Sequence, residues 1–375
     1  MTRLIRIVVA DDSPFVCRLL TSYLQSSSDF QVVGTALNGA RAVELVKELR
    51  PDAVTLDLEM PEMNGVEALE HIMYECPTPV VLVSGVSRRA AAITLQALDM
   101  GAVDFILKYT PGVNTNPEAL RQEIMAKVRV ASQIKVIRSL RPRRPQDRQT
   151  LPAPRQAQDT TPPPASPPTT PEVGDTPLER ARRRDFSPFL PSGVVVIGAS
   201  TGGPVALREL LSNLPADFPA AVIIVQHMPA TFTGVLAAQL DRQVPFEVKE
   251  AEAGDHLQPG LALVAPGGYH LLLRTDSQVE LNQGPEIEGH RPSIDVTMQS
   301  VAQLYGARAK GVVLTGMGND GSLGLVSIRA KGGKTFAQDA DSCVVNGMPQ
   351  RAIEKGVVDH VAPPAKIARL LRMTK

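Results

Sequence analysis

Five short apolar runs, LIRIVVA, QVVGTAL, DAVTLD, PVVLVSG and VDFILK, recur within the first 130 residues, and each is followed by a helical pattern. The runs are rich in Val and Ile and read as continuous rather than alternating, so both faces of each strand must be covered. Strands of that kind pair in parallel beneath two layers of helices. The first part of the chain is therefore predicted to be a doubly wound α/β domain.

The same grammar returns after a break. GVVVIGAS, AAVIIVQHM, LALVAPGG, HLLLRT, GVVLTGMG and GKTFAQD are strand candidates, with helical stretches such as PVALRELLSNL and PSIDVTMQSVAQLYG between several of them. Between the two blocks lie eleven prolines, from Pro142 to Pro177, and almost no large apolar residues. Such a segment cannot bury enough surface to offset its ordering entropy, and its prolines favour extended conformations. It reads as a disordered, semi-extended linker. A chain of 375 residues also exceeds one ordinary core. The expected organisation is two doubly wound parallel-sheet domains, residues 1–138 and 186–375, joined by a Pro/Arg-rich linker over 139–185.

Lys+Arg and Asp+Glu both total 39, so no global field draws the protein to nucleic acid or to an anionic membrane. The arginine clusters at residues 141–144 and 182–184 read as solvated linker charge. Cys17, Cys76 and Cys343 are far apart and form no CxxC pair, which argues against a disulfide framework or a structural zinc. The N-terminal apolar run breaks into Asp11 and Asp12 too early for a secretory signal, and no stretch reaches about 18 apolar residues. The expectation is a soluble, cytoplasmic protein with no nucleic-acid partner and no membrane insertion.

Chemistry gathers at the strand ends. Asp11 and Asp12 follow the first strand, Asp57 ends the third, Ser84 the fourth and Lys108 the fifth. In a doubly wound sheet these ends open on one edge and converge in a crevice. Three carboxylates repel one another, and an oxygen-loving divalent ion such as Mg2+ is the usual way to hold them together. A hydroxyl and an ammonium beside that ion suit a phosphoryl group.

DDSP, LDLEMPEMNG, the strand-end Ser84 and DFILK resemble the receiver domain of two-component response regulators, over residues 4–133. The resemblance implies a flavodoxin-like fold with Asp57 as phospho-acceptor. It also implies Mg2+ held by Asp11, Asp12, Asp57 and the backbone carbonyl of Glu59, with Ser84, Lys108 and Phe105 as phosphoryl-contact and switch residues. One position departs from the receiver pattern: Tyr109 follows Lys108, where proline is usual.

In the last block, VVVIGASTGG runs from a buried strand into Ser200, a hydroxyl at a strand-to-helix turn. Such a hydroxyl is a nucleophile, a phosphate cradle or only a turn residue. A dinucleotide loop fits poorly, because GASTGG is not GxGxxG and the next strand ends in Gln226 and His227 instead of a ribose-binding acid. A serine nucleophile needs a base, and the base an orienting group. His227 at the next strand end and Asp320 in GVVLTGMGNDG supply both, in an order that triads tolerate. His270 and His290 read as cleft-lining, His71, His256 and His360 as surface or packing residues, and Asp339 and Asp341 as loop acids.

GASTGGP, VQHMP, VAPGGYH, RPSIDV and LTGMGNDG, across about residues 190–370, resemble the catalytic domain of the chemotaxis protein-glutamate methylesterases, the CheB family. The order receiver, linker, esterase resembles that family as well. The resemblance implies a Rossmann-like domain with Ser200 as nucleophile, His227 as base and Asp320 as the orienting carboxylate. Thr201 and Met317 are implied to line the site, where main-chain N–H groups form an oxyanion hole. The implied substrates are glutamate γ-methyl esters and specific glutamines on methyl-accepting chemotaxis receptors, hydrolysed without a cofactor. A histidine kinase of the chemotaxis type is the implied phosphoryl donor, and the unphosphorylated receiver is expected to cover the cleft. A linker of about 45 residues tethers the domains at low effective concentration compared with a short one, so docking must come from the interface itself and weaker basal inhibition than in a short-linker relative is expected. Two other readings stay open. One is output by DNA binding through the arginine clusters, against which stands the lack of a helix-turn-helix pattern. The other is a hydrolase for a different methyl-esterified or amidated protein, since substrate choice depends on surface contacts.

Overall fold

The computed structural model describes residues 3–108, 116–134, 191–275 and 277–374; the linker and Tyr109 lie outside them. Strands β1 (Ile5–Ala10), β2 (Phe30–Ala36), β3 (Ala53–Asp57), β4 (Val80–Ser84) and β5 (Asp104–Leu107) alternate with helices α1 (Pro14–Gln25), α2 (Gly39–Leu49), α3 (Gly65–Glu75), α4 (Arg88–Asp99) and α5 (Pro117–Ala131). The strands form one parallel sheet in the order β2-β1-β3-β4-β5. Every residue of β3 and β4 is buried, as continuous apolar runs require. Ser13, Asn38, Asn64, Ser87 and Asn116 each cap the helix that follows them, satisfying N–H groups that the first helical turn leaves unpaired.

The second block contains β6 (Val194–Ala199), α6 (Gly203–Ser212), β7 (Ala221–Gln226), α7 (Ala230–Gln243), β8 (Glu247–Glu250), β9 (Leu261–Val264), β10 (His270–Leu273) and β11 (Val279–Asn282). It continues with α8 (Ile294–Tyr305), β12 (Ala309–Val313), α9 (Ser322–Ala330), β13 (Lys334–Gln338), α10 (Gly347–Glu354), β14 (His360–Ala362) and α11 (Pro364–Met373). Seven of these strands form a parallel sheet in the order β14-β13-β12-β6-β7-β9-β8. HLLLRT does not join it: its residues pair antiparallel with β11 in a separate hairpin. The edge strands β8 and β14 carry no sequence signal of their own, being the charged EVKE and the three-residue HVA. Short, charged edges protect a sheet from further pairing, and for the same reason show little apolar periodicity.

Both sheets reverse their winding in mid-sheet, between β1 and β3 in the first and between β6 and β12 in the second. Crevices open beyond the carboxyl ends of strands at such points. Asp11 and Asp57 lie at the first reversal, Ser200 and Asp320 at the second.

The described residues on both sides of the linker belong to one compact unit. Helix α4 packs on α6 and α7. The Phe105 ring stacks on Phe232 of α7, with centroids 4.5 Å apart and planes at 10°. Asp99 pairs with Arg208 and accepts a 2.9 Å bond from Gln239. Leu95, Leu98 and Phe105 thus share one buried cluster with Met228, Phe232 and Leu236. Among the described residues, no helix is long and apolar enough to cross a membrane.

Candidate active site

Strands β6 and β7 pair in register up to Ala199 and Gln226, so the next residue on each, Ser200 and His227, emerges side by side from neighbouring strands about 4.8 Å apart. On the other flank Ser200 N–H donates to Thr315 O at 3.0 Å, drawing the loop after β12 alongside the serine. Gly316 allows this approach, because a Cβ there would stand 2.8 Å from the Ser200 Cβ. The same loop delivers Asp320, whose Oδ2 is 2.8 Å from His227 Nε2. Both side chains are almost fully buried.

Asp320 accepts four further hydrogen bonds, from Ser293 Oγ and from the backbone N–H groups of Ile294, Asp295 and Gly321. Three of these donors belong to the first turn of α8 and its cap, where the helix end favours a negative charge. Burial pushes the Asp320 carboxyl up, but the His227 bond and the backbone N–H groups outweigh it and hold the group below its usual range. Ionised Asp320 leaves Nε2 as the protonated nitrogen, and Nδ1 is buried with no hydrogen-bond partner among the described residues. His227 therefore has one free acceptor, the feature a base for Ser200 needs.

Gln226, buried at the end of β7, stands in the sequence only where a ribose-binding acid is missing. Its Nε2 donates to Ser200 O at 2.9 Å, and Gly203 N–H donates to the same carbonyl at 2.8 Å. Two donors on one carbonyl fix the Ser200–Thr201 peptide plane, and with it the direction of the Thr201 N–H. Among the described residues the N–H groups of Thr201 and Met317 have no protein acceptor, which suits donors to an oxyanion. Gly203 is required here: a Cβ would lie 1.9 Å from Gln226 Oε1. Gln226→Leu is expected to lower kcat about 30-fold with the thermal midpoint nearly unchanged, measured by steady-state ester hydrolysis beside thermal unfolding.

The Thr201 hydroxyl itself donates to Asp104 of β5, so the first sheet reaches the residue next to Ser200. Lys127 of α5 lies 3.5 Å from Asp104, 2.9 Å from Glu123 and 2.6 Å from Phe105 O. His270 is buried and clasps the loop 285–293 rather than lining the cleft, whereas His290 stacks on His227.

At the other reversal point, one carboxylate oxygen from each of Asp11, Asp12 and Asp57 lies within 4.8 Å of the others, a spacing that fits a single Mg2+. Lys108 Nζ lies 2.8 Å from Asp57 Oδ2 and 3.1 Å from Asp11 Oδ2. Glu59 donates its N–H to Asp57 Oδ1 at 3.3 Å. The Ser84 hydroxyl does not reach Asp57: it bonds Thr94 of α4 at 2.6 Å and Gly85 O at 3.2 Å.

Burial pushes the Asp57 carboxyl up to about 6 against the pull of Lys108. A carboxyl that holds its proton more tightly in the folded state stabilises the fold at low pH, and this contribution is lost as pH rises from about 4 through about 6. Asp57→Asn removes the penalty. The variant should be more stable than the parent by about 3 kcal/mol at pH 7.5 and nearly equal to it at pH 4. Thermal unfolding at the two pH values measures this, and added Mg2+ should narrow the gap at pH 7.5.

Two family models match the chain: the response regulator receiver domain over residues 7–124 and the CheB methylesterase over residues 195–371. A Symbiobacterium thermophilum protein-glutamate methylesterase/protein-glutamine glutaminase is 42% identical over 98% of this chain and 96% of its own. Proteins of the same name from Pyrococcus horikoshii and Thermotoga maritima are 40% and 38% identical, covering 92% and 98% of their lengths and 98% of this chain in both cases. Among solved structures, the Thermotoga maritima CheB methylesterase catalytic domain matches with 42% identity and a TM-score of 0.47, covering 48% of this chain and 97% of that domain. On the strength of both family models and of these near full-length relatives, the chain belongs to the CheB methylesterase family, with a receiver domain ahead of the methylesterase domain.

Proposed function

We propose that the chain hydrolyses glutamate γ-methyl esters, and deamidates specific glutamines, on methyl-accepting chemotaxis receptors in the cytoplasm. The observation that carries this reading is the 2.8 Å bond from His227 Nε2 to Asp320 Oδ2, one register position beyond the strand pair that ends beside Ser200. Ser200 Oγ attacks the ester carbonyl while His227 Nδ1 takes its proton. The N–H groups of Thr201 and Met317 hold the oxyanion, and methanol leaves with the proton from His227. Water activated by the same histidine then releases the glutamate and restores the serine. An amide passes through the same steps with ammonia as leaving group.

Control is proposed to come from a chemotaxis-type histidine kinase acting on Asp57. Mg2+ at Asp11, Asp12 and Asp57 would neutralise phosphoryl oxygens. Lys108 and Ser84 are the groups a phosphoryl dianion recruits. Recruiting Ser84 takes its hydroxyl from Thr94 of α4, the helix that packs on α6 and α7. The Phe105–Phe232 stack and the Asp104–Thr201 bond supply the docking that a long tether does not. This supports firmer basal inhibition than tether length alone suggests.

The test is methanol release, and ammonia release in parallel, from a methyl-esterified receptor fragment. Turnover is expected with the full chain and none with Ser200→Ala. Equal rates on an unrelated methyl-esterified protein would favour the other-substrate reading.

A further inference from the structure

The chemistry proposed above makes no use of His290, yet its ring lies flat against that of His227, with centroids 3.8 Å apart and planes at 12°. We infer that His290 is a positioning residue for the base, a flat wall that holds the His227 ring in the plane from which Nδ1 serves Ser200. The inference rests on the triad proposed above and adds a fourth residue to its function.

The base needs such a wall. The second side-chain torsion of histidine is intrinsically broad, so the ring plane is not set by its own rotamer. One hydrogen bond at Nε2 anchors the ring but leaves it free to rock about that bond, and among the described residues Nδ1 has no partner to stop it. Stacking at 3.8 Å blocks motion out of the plane and keeps water from one face.

His290 is itself built rigidly. Ile287 and His290 exchange two backbone hydrogen bonds, of 3.1 and 2.9 Å, around Glu288 at φ 51° and Gly289 at φ 80°. Positive φ at both central residues is the geometry of the tightest two-residue hairpin turn. Glu288 Oε1 accepts from Asn319 Nδ2 at 3.2 Å, which ties the tip to the loop that carries Asp320. At the foot, His270 Nδ1 accepts from Ser293 N–H at 3.2 Å and its Nε2 donates to Pro285 O at 3.0 Å, so one buried imidazole clasps both ends of the loop. Ser293 Oγ in turn donates to Asp320 Oδ1 at 3.1 Å. The wall behind the base and the carboxylate that orients it are therefore braced by one loop.

The chemistry of the wall matters too. Burial, and then the neighbouring His227, bring His290 down to about 4, with Lys127 acting in the same direction and Asp320 and Glu123 opposing. A ring that stays neutral at neutral pH does not repel the imidazolium formed when His227 takes the serine proton. A lysine or arginine in its place would.

The test is steady-state methanol release by the full chain, treated with a small-molecule phosphoryl donor and Mg2+, with thermal midpoints measured alongside. His290→Ala is expected to lower kcat about 30-fold with KM within about twofold, and His290→Phe, which keeps a neutral flat ring, to regain activity to within about threefold of the parent. The inference is overturned if His290→Ala keeps kcat within about twofold, or if a folded His290→Phe is as slow as His290→Ala. Should His290→Ala not fold, His290→Asn replaces it as the non-aromatic variant, and equal rates for Asn and Phe overturn the inference. Ser200→Ala separates the two claims. If that variant is active the triad itself is wrong, whereas an inactive Ser200→Ala beside a parent-like His290→Ala removes only the role of His290.

Discussion

Ser200→Ala is expected to lower kcat for methyl ester hydrolysis about 10^5-fold, with the thermal midpoint almost unchanged. The serine is half-buried at the end of β6, and its backbone carbonyl and N–H are held by Gln226, Gly203 and Thr315 rather than by its hydroxyl. Removing Oγ therefore deletes the nucleophile without loosening the turn. Asp320→Asn should differ in kind. The carboxylate accepts from His227 and from four further donors at the start of α8, and an amide presents N–H groups to some of them. A kcat loss of about 10^4-fold is expected from the wrong imidazole tautomer. A stability loss of about 1–3 kcal/mol should accompany it, because backbone donors are left buried and unsatisfied. Methanol release and thermal unfolding on both variants separate the two signatures.

The second large effect is activation without phosphorylation. Phe105→Ala removes one ring of the Phe105–Phe232 stack, which seals the surface between the two sheets beside Asp104 and Thr201. Deleting a buried aromatic side chain costs about 3 kcal/mol, and here part of that falls on the closed arrangement alone. A shift of about 1.4 kcal/mol is tenfold in the open fraction, so basal methanol release should rise at least about tenfold, and a phosphoryl donor should add little further. Asp99→Ala removes the acceptor shared by Arg208 and Gln239 at a more exposed part of the same surface. Its expected gain is smaller, about twofold to threefold. Basal rates equal to the parent in a folded Phe105→Ala chain would count against a receiver that covers the cleft.

How much of this was legible in the sequence depends on range. Asp11, Asp57, Ser200 and His227 could be placed because strand ends in a doubly wound sheet share an edge, so strand position alone brings them close. The HLLLRT hairpin was not separable from the parallel sheet, because an apolar run does not state which strand it pairs with. The Ser84 hydroxyl sits at the foreseen strand end, but its direction toward Thr94 is a rotamer choice that no pattern records. The Asp104–Thr201 bond joins residues 97 positions apart and follows from the packing of two sheets on each other. His290 left only a partial signal in EGH: Gly289 suits a tight turn, but Glu288 at φ 51° takes a conformation that its residue type does not announce. The partner ring of His290, however, comes from β7, and only the fold brings the two together.

Covalent catalysis by Ser200 is tested by catching the intermediate. The full chain is mixed with a methyl-esterified receptor fragment, quenched in acid within milliseconds, digested and examined by mass spectrometry. A glutamyl ester is expected on the peptide containing Ser200, formed as methanol appears and absent from Ser200→Ala. An adduct on another residue, or methanol released at the parental rate by Ser200→Ala, would contradict it.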